Sequence, residues 1–362
     1  MYLGLDAGNS KTVAFLCRAD GSVAGVGRTG CGDIYGVGDI RQAVRAVTGC
    51  IEQALDSAGV AAAQVHSAAF RMAGVDWPED AEFWRQTLGE ARPELRRISV
   101  LNDGFAPIRC GEPTGVAVAV TAGTGSAIAG RGPDGHEWSL SWWGQDRLGA
   151  TGIGQEALSA LFLSELGIGQ AASADPRRGE PARSGPAGRA GSPLPPRDDD
   201  RSAVLWDALL RRYGEPSPRD LLHSLTRRQD RRPWQDKGLA APVVLQAAAD
   251  GDPVASRIVH RHAVRTAEYA RAAAIRCGFD VRRGGIPVVL AGPVLSAAPP
   301  VFAEALIGEL QRAVPGCRPV PASLPPVAGA ALDALAEAGI PVTAEVLAAL
   351  AESLPDPGLL QT

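Results

Sequence analysis

The chain reads Gly4-Leu-Asp-Ala-Gly-Asn-Ser-Lys-Thr12 directly after a short apolar run, and Thr121-Ala-Gly-Thr-Gly-Ser126 directly after another. Both apolar runs, residues 1–5 and 116–120, are predicted strands, so each glycine-rich segment forms a tight turn at the carboxyl end of a strand. Turns of this kind can offer backbone N–H groups to phosphate oxygens. Two of them, each opening one half of the chain, predict a nucleotide bound between two similar halves.

The first turn also contains a carboxylate, Asp6. A phosphate would repel this carboxylate unless a cation lay between them, which favours Mg²⁺ with a polyphosphate, most simply ATP. Mg²⁺ keeps several of its waters, so Asp6 would act on it through water. The alternative is a hairpin turn in which Asp6 only caps neighbouring amides. A P-loop is excluded because no G-x-x-x-x-G-K-[ST] sequence occurs and Lys11 does not follow a glycine.

Composition indicates an ordinary α/β protein of 362 residues, with 45% hydrophobic residues and enough length for two domains. The net charge of −4 argues against general nucleic-acid binding. No apolar run reaches the roughly 18–20 residues of a membrane span, and the amino-terminal residues do not resemble a signal peptide. The six cysteines are widely spaced and are predicted to be reduced. We therefore expect a cytoplasmic protein.

Alternating patterns along the chain predict mixed sheets covered by helices. Helical spacing covers residues 38–59 and ends at a glycine, while 65–72 and 98–101 are predicted strands. The opening arrangement, a strand, a glycine-rich turn and a second strand, is repeated from residue 115. Further helices are predicted within 239–277 and over 299–314, 327–338 and 344–353. Residues 171–202 are dense in Pro, Gly, Ser, Arg and Asp and are predicted to form a mobile loop.

A second carboxylate, Asp103, lies in Leu101-Asn-Asp-Gly104, just after a predicted strand. A carboxylate at this position could accept the proton of a substrate hydroxyl while the hydroxyl attacks the γ-phosphoryl group. The alternative is an aspartate that only caps a helix.

The order of short motifs resembles the N-acetylglucosamine kinase and BadF/BadG/BcrA/BcrD ATPase family, within the superfamily of acetate and sugar kinases, Hsp70 and actin. The resemblance spans the chain outside residues 171–202. The remaining motifs, in order, are Met72-Ala-Gly-Val-Asp76, Asn102-Asp-Gly104, Trp142-Trp-Gly144, Glu156-Ala-Leu158, Leu290-Ala-Gly292 and Pro325-Pro-Val-Ala-Gly329.

This resemblance implies two ribonuclease H-like, actin-like ATPase domains with ATP and substrate in a central cleft. The first domain would cover residues 1–113, joined by a carboxyl-terminal helix at 343–355, and the second would cover 114–342. It further implies a homodimer.

The resemblance also implies a role for each matching residue. Asp103 would be the general base, and Asp6 would hold Mg²⁺ through water. The ATP phosphates would lie on Gly8, Asn9, Ser10, Lys11, Thr12, Gly123, Thr124, Gly125 and Ser126, and the adenosine near Gly292. The sugar would contact Asp33, Asp76, Asn102, Asp103 and Asp146.

The sequence departs from the family pattern at three places. Asp33 stands where such kinases commonly have an asparagine, and a carboxylate cannot donate to an acetamido carbonyl. Arg147 replaces the glutamate of the usual Gly-Asp-Glu-Gly stretch; it could bind an anionic substituent or lie at the surface, paired with Asp146. Pro293 follows Gly292 and removes an amide donor near the adenosine.

The sequence thus predicts an ATP- and Mg²⁺-dependent kinase of an amino sugar, first N-acetylglucosamine on its 6-hydroxyl and second glucosamine. Two alternatives are a non-catalytic sugar sensor and an ATPase that activates a partner enzyme through an iron–sulfur cluster. The latter needs closely placed cysteines, which the sequence lacks. Trp142 and Trp143 could stack on a sugar ring or belong to the core.

Overall fold

The computed structural model describes residues 1–168 and 202–360, which form two five-stranded mixed sheets. The first contains β1 (Tyr2–Ala7), β2 (Thr12–Cys17), β3 (Val23–Thr29), β4 (Ser67–Met72) and β5 (Ile98–Asn102), in the spatial order β3-β2-β1-β4-β5. The second contains β6 (Ala117–Ala122), β7 (Ser126–Arg131), β8 (Glu137–Ser139), β9 (Pro287–Ala291) and β10 (Arg318–Pro321), in the order β10-β9-β6-β7-β8. Each sheet joins an antiparallel hairpin to parallel strands, which confirms the predicted two-sheet α/β fold.

Helices cover both sheets. Those in the described ranges are α1 (Ile40–Ala58), α2 (Pro78–Ala91), α3 (Ile108–Gly111), α4 (Gly149–Glu165), α5 (Ala203–Tyr213), α6 (Pro218–Thr226), α7 (Ala241–Ala249), α8 (Pro253–Arg276), α9 (Val301–Ala313), α10 (Pro326–Glu337), α11 (Ala344–Glu352) and α12 (Pro357–Leu360). Short 3₁₀ turns occur at Ala62–Gln64, Asp103–Phe105, Ser141–Trp143 and Trp234–Ala240.

Local sequence signals explain where α1 begins and ends. The side chain of Asp39 accepts a hydrogen bond from the Arg41 amide at 3.0 Å, and Gly59 ends the helix with φ of 63°. The predictions of a helix over 38–59 and of strands over 65–72 and 98–101 are thereby confirmed to within two residues. The predicted mobile loop over 171–202 lies outside the described residues, except for Ser202.

The first sheet is covered on both faces. Alternate β1 and β2 side chains such as Leu3, Leu5 and Leu16 pack against the side of the sheet that α1 and α2 cover. Side chains of opposite parity on β2, including Val13 and Phe15, pack against α10 and α11. Gly4 permits the approach of α10, because a Cβ there would lie 2.1 Å from the backbone nitrogen of Ala331. The predicted domain boundaries place α10 in the second domain, whereas α10 packs on the first sheet; the boundaries stay a prediction.

A buried charge cluster, which we call the Asp333 cluster, joins the two sheets. Asp333 on α10 accepts hydrogen bonds from Arg71 Nε at 2.9 Å and Arg109 Nε at 2.7 Å, both on the first half of the chain. Asp333 Oδ1 also accepts a hydrogen bond at 3.3 Å from Nη1 of Arg131, which lies on β7 of the second sheet. Burial alone would raise the pKa of Asp333, but the guanidinium groups outweigh it and lower the pKa to about 2. Glu337 completes the cluster by pairing with Arg71 at 2.8 Å.

The turn after β5 makes a second connection between the sheets. Phe105 and Ile108 pack against alanines on the inner face of β6 and β7. A Cβ on Gly104 would lie 3.0 Å from the Cβ of Ala129 on β7, so a larger residue would push the sheets apart. The neighbouring Asp103 is therefore held where the first sheet meets the second.

Candidate active site

Three parallel strands of the first sheet end side by side at this junction. The register pairs Ala7 on β1 with Met72 on β4, and Met72 with Asn102 on β5. Residues that follow these strands therefore meet at one edge of the sheet, where ligands of α/β proteins commonly bind. Asp103 directly follows β5, and Asp76 lies four residues beyond β4.

Four carboxylates gather at this edge, and we call them the acidic cleft: Asp6, Asp33, Asp76 and Asp103. Burial is the largest cause of a rise in the pKa of Asp103 to about 8. The negative charges of Asp6, Asp76 and Asp33 add to this rise, so these three side chains lie within electrostatic reach of Asp103. A carboxyl group with this pKa can exchange a proton near neutral pH, as a general base requires.

Asp6 and Lys11 face each other across the first turn. Burial raises the pKa of Asp6 to about 6, and the charge of Lys11 opposes that rise. Burial lowers the pKa of Lys11, against the attraction of Asp6. Lys11 Nζ also donates to the carbonyl of Leu360 in α12, which brings the end of the described chain next to this turn.

Asp33 is buried in the loop after β3. Its Oδ1 accepts the Tyr35 amide at 2.8 Å. Gly74 makes room for this carboxylate: a Cβ there would lie 2.2 Å from Asp33 Oδ1, and the φ of 74° is one that side chains rarely adopt. Two loops of the first half thus close around one carboxylate.

Asp76 and Asn102 are joined directly. Asn102 Nδ2 donates to Asp76 Oδ1 at 3.1 Å and to the Val75 carbonyl at 3.2 Å. Burial raises the pKa of Asp76, while hydrogen bonds from Ser141 and Trp142 oppose the rise. The Asn102 side-chain oxygen accepts the Gly104 amide at 2.9 Å, so Asn102, and not Asp103, caps this turn. Asp103 is therefore not needed as the cap.

The first glycine-rich turn is closed by a hydrogen bond from the Gly8 amide to the Lys11 carbonyl at 2.8 Å. The amides of Asn9 and Ser10 donate to no acceptor in the described part of the chain. Thr12 differs from its neighbours because its side chain is buried and its hydroxyl donates to the Gly30 carbonyl at 2.9 Å. The structure therefore places Gly8 to Lys11 at the cleft and Thr12 in the packing beneath it.

The second glycine-rich turn rests on the first turn of α4. The amides of Ala150 and Thr151 donate to the carbonyls of Gly123 and Thr124 at 2.9 and 3.0 Å. Gly149 is required there, because its φ is 75° and a Cβ would lie 2.2 Å from the Gly125 carbonyl oxygen. The carbonyls of this turn are therefore bound by α4. The amides of Thr124 and Gly125 donate to no acceptor among the described residues.

A buried polar atom at this turn fits a phosphate ligand. The hydroxyl of Ser126 is buried and has no hydrogen-bond partner among the described residues. The Thr121 hydroxyl is also unpaired there, but it lies on the opposite face of the sheet, because Ala122, the neighbour of Thr121, is the residue that pairs with Ser126. Buried hydroxyls without a partner are rare and need an explanation, and a phosphate oxygen above the turn supplies one for Ser126. Gly292, at the end of the neighbouring strand β9, has φ of 96° and lies against Ala122, beside the same turn.

The described residues also bear on how a cation could be bound. Within residues 1–168 and 202–360, no group of three or more His, Cys, Asp or Glu side chains is arranged to hold a metal ion. Asp6 as a single carboxylate fits Mg²⁺, which usually takes one or two carboxylates and completes its shell with water and phosphate.

Asp146, grouped with the sugar residues in the sequence analysis, has other partners in the structure. Its carboxylate pairs with Arg265 Nε at 3.1 Å and accepts a hydrogen bond from Tyr269, both on α8. Arg147 is exposed and lies near Lys237. Burial is the largest cause of a lowered pKa of Lys237, and the positive charge of Arg147 lowers that pKa further. Of the two alternatives for Arg147, the structure agrees with a surface position, but Asp146 is paired with Arg265 and Tyr269 instead of Arg147.

Sequence reasoning missed two residues of the site, Tyr35 and Asp80. Tyr35 Oη donates to the buried Asp80 at 2.8 Å, which fixes the loop that contains Asp33. The sequence contains a signal for Asp80: an acidic side chain at the third position of a helix that begins with proline can reach back and accept a hydrogen bond from the residue before the helix. In the structure Asp80 accepts the Trp77 amide at 2.8 Å. Trp142 and Trp143 are exposed, so the alternative that placed them in the core is wrong.

The comparisons with known proteins agree with this architecture. A candidate N-acetylglucosamine kinase from Chromobacterium violaceum is 22% identical over 92% of this chain and 98% of its own, with a TM-score of 0.56. A candidate N-acetylglucosamine kinase from Porphyromonas gingivalis is 18% identical over 91% and 96%, with a TM-score of 0.58. A ROK family glucokinase from Streptomyces griseus, solved with glucose and AMPPNP, is 15% identical over 92% and 97%, with a TM-score of 0.54. At these identities the similarity shows the two-domain fold of actin-like ATPases and sugar kinases.

Sequence comparison shows the family. A search of curated proteins finds no match. None of the described helices is both long and apolar enough to cross a bilayer. The model of one family matches residues 3–334, which is most of the chain. With its two glycine-rich turns and the strand order around them, the chain belongs to the BadF/BadG/BcrA/BcrD ATPase family.

Proposed function

We propose that this chain is an ATP-dependent kinase that phosphorylates an amino sugar. The observation that carries the proposal is the position of Asp103, a buried carboxyl group with a pKa of about 8 at the junction of two turns with free amides. Phosphoryl transfer needs little more than positioning, charge stabilisation and a group that accepts the proton of the attacking hydroxyl. The acidic cleft and the two turns supply these elements.

Each part has a role in this proposal. The amides of Asn9, Ser10, Thr124 and Gly125 bind phosphate oxygens, and Gly292 lies beside the adenosine. Asp6 holds Mg²⁺ through water, and the bound ion neutralises charge on the transferred phosphoryl group. Asp103 accepts the proton of the sugar hydroxyl. The protein would act in the cytoplasm, where ATP is available, and as a homodimer.

An amino sugar fits the acidic cleft because its hydroxyls and nitrogen substituent can donate to carboxylates. N-acetylglucosamine, phosphorylated on the 6-hydroxyl, is the first candidate, and glucosamine is the second. Asp33 and Asp76 favour glucosamine, since its ammonium group would be paired with carboxylates instead of an amide. Asp146 would reach the sugar only if it exchanged its contacts with α8.

A coupled assay of ADP release tests the proposal with N-acetylglucosamine, glucosamine, N-acetylmuramic acid and glucose. We expect ADP release that depends on one of the two amino sugars and requires Mg²⁺. ADP release that no sugar stimulates would contradict the proposal. Calorimetric binding of the same sugars would then distinguish a sensor from an ATPase that acts on a partner.

Asp33→Asn is expected to shift substrate preference toward N-acetylglucosamine. An asparagine can donate to the acetamido carbonyl, and a hydrogen bond of this kind contributes about 1–2 kcal/mol. The ratio of kcat/KM for N-acetylglucosamine to that for glucosamine should rise roughly ten-fold. Asp39→Asn is the matched control, because asparagine also caps α1 and Asp39 lies outside the acidic cleft. An unchanged ratio in Asp33→Asn would remove Asp33 from the sugar site.

The pH dependence of kcat/KM should report the proton acceptor. Because the pKa of Asp103 is about 8, most of the free enzyme carries a protonated Asp103 at pH 7. We therefore expect kcat/KM for the sugar to rise with pH and to level off above about pH 8. A profile that is flat between pH 6 and 9 would exclude Asp103 as the group that limits the reaction.

A further inference from the structure

Four aromatic side chains are exposed beside the acidic cleft, and we call them the aromatic rim. Their exposed fractions are 55% for Tyr35, 43% for Trp77, 52% for Trp142 and 69% for Trp143. Large apolar side chains grouped at the surface usually mark a binding site. The proposed function assigns these four residues no part in holding ATP or in the proton transfer.

The aromatic rim is assembled from both halves of the chain. Tyr35, from the loop after β3, meets Trp142, from the loop after β8, edge to face with ring centroids 6.2 Å apart. Buried Asp80 accepts Tyr35 Oη at 2.8 Å through one oxygen and the Trp77 amide at 2.8 Å through the other. A single carboxylate therefore fixes the Tyr35 ring and the backbone of Trp77, and the fixed Tyr35 ring reduces the entropy lost when a ligand binds.

The aromatic rim is continuous with the acidic cleft. The Asp76 amide donates to Asp80 Oδ2 at 3.0 Å, and the same oxygen accepts the Trp77 amide. The Tyr35 amide donates to Asp33 Oδ1 at 2.8 Å, so Asp76 and Asp33 of the acidic cleft both lie on the loops that hold Tyr35 and Trp77. Ser141 has φ of 41°, a conformation that is uncommon outside glycine and that recurs at ligand-binding sites. The Tyr35–Trp142 contact thus brings the loop that contains Asp33 next to the Ser141–Trp143 turn.

The chemistry of the proposed reaction indicates what lies at the aromatic rim. If Asp103 accepts the proton of the 6-hydroxyl, C6 is at the inner end of the acidic cleft. Carbons C1 to C3 lie across the pyranose ring from C6 and point away from Asp103. A substituent on C1 then leaves the acidic cleft on the side where the aromatic side chains are exposed.

We propose that the aromatic rim binds a second ring, joined through C1 of the amino sugar, so that the substrate class is an amino-sugar glycoside. This inference rests on the proposed function. Trp142 and Trp143 stack on the C–H face of a second sugar or on an aryl ring, both of which aromatic side chains bind through apolar area and ring electrostatics. The carboxylates of the acidic cleft hold the first ring.

The test compares pairs of ligands that differ only at C1. For the amino sugar that the wild-type protein phosphorylates best, kcat/KM is measured for its methyl, phenyl and β-linked disaccharide glycosides. We expect kcat/KM for the phenyl and disaccharide glycosides to exceed kcat/KM for the methyl glycoside by about five-fold or more. Whether phenyl or disaccharide is preferred distinguishes an aryl from a saccharide second ring.

Variants assign this preference to the aromatic rim. Trp142→Ala and Trp143→Ala should each reduce the ratio of phenyl to methyl kcat/KM toward one. Leu166→Ala is the control, because Leu166 is an exposed apolar residue just beyond α4 and away from the acidic cleft. Both tryptophans are exposed, so their removal should leave the melting temperature within about 2 °C of the wild type.

The outcomes separate the two proposals. The aromatic-rim proposal is wrong if the methyl glycoside is phosphorylated and kcat/KM for the phenyl glycoside is no higher. It is also wrong if the higher kcat/KM for the phenyl glycoside persists in both tryptophan variants. If no sugar or glycoside is phosphorylated, the proposed function is wrong, and calorimetry without ATP still tests whether the phenyl glycoside binds the wild type more tightly than Trp142→Ala. If Trp143→Ala instead converts a dimer to a monomer in light scattering and the phenyl form gains nothing, the aromatic rim is an interface between copies.

Discussion

Asp103→Asn should lower kcat by at least about 100-fold and leave ATP binding intact. Asparagine keeps the shape of the side chain but cannot accept the proton of the attacking hydroxyl. The turn itself should persist, because its cap is Asn102. The measurement is sugar-dependent ADP release, together with calorimetric binding of a non-hydrolysable ATP analogue.

The same variant should be more stable than the wild type at alkaline pH. The pKa of Asp103 is about 8 in the folded protein and near 3.9 in an unfolded chain, so the folded state binds more protons between these values. Wild-type stability contributed by this group therefore falls as pH rises from about 4 to 8, and asparagine avoids the loss. The melting temperature of Asp103→Asn should exceed that of the wild type by a few degrees at pH 9, and less at pH 5.

Glu79→Gln is the control for both measurements, because it removes an exposed carboxylate from the nearby helix α2. It should change neither kcat nor the pH dependence of melting appreciably. If Asp103→Asn kept a tenth of the wild-type kcat, another group would have to accept the proton.

Asp333→Asn is expected to destabilise the protein by about 3–5 kcal/mol. The substitution leaves Arg71, Arg109 and Arg131 buried or half-buried without the carboxylate that pairs with all three. A loss of this size should lower the melting temperature by roughly 10 °C, measured by differential scanning fluorimetry. Glu82→Gln, which breaks an exposed pair with Arg85 at 2.8 Å, should cost less than about 1 kcal/mol.

The effect of Asp333→Asn should also depend on pH. The pKa of Asp333 is lowered to about 2, so its contribution is complete above pH 4 and is lost as pH falls toward 2. The difference between variant and wild type should therefore shrink on acidification. A difference that is small at pH 7 would mean that the arginines find other partners.

Local patterns in the sequence predict much of this fold. The two hairpins and their glycine-rich turns, the helix ends at Asp39 and Gly59, and the final helices depend on neighbouring residues and were predicted to within a few residues. The long-range partners could not be predicted. Arg71 inside an apolar strand signals a buried ion pair, but its partner Asp333 lies 262 positions away in the sequence.

The site shows the same limit. The position of Asp103 after a strand follows from the pattern, but the pKa of about 8 depends on three carboxylates that the sheet edge brings together. Asp146 was grouped with the sugar residues from motif order, whereas its contacts depend on how α8 packs. Trp142 and Trp143 look like core residues by composition, and only the structure shows them exposed.

The packing of α10 on the first sheet has a consequence for biosynthesis. Val13 and Phe15 leave the ribosome early, but the helices that cover them, α10 and α11, follow about three hundred residues later. At roughly 5–20 residues per second, this face of the sheet stays uncovered for about 15–60 s. The first sheet is thus made early, but one of its faces is covered only when α10 and α11 have been made. Until then this apolar face must be protected from aggregation.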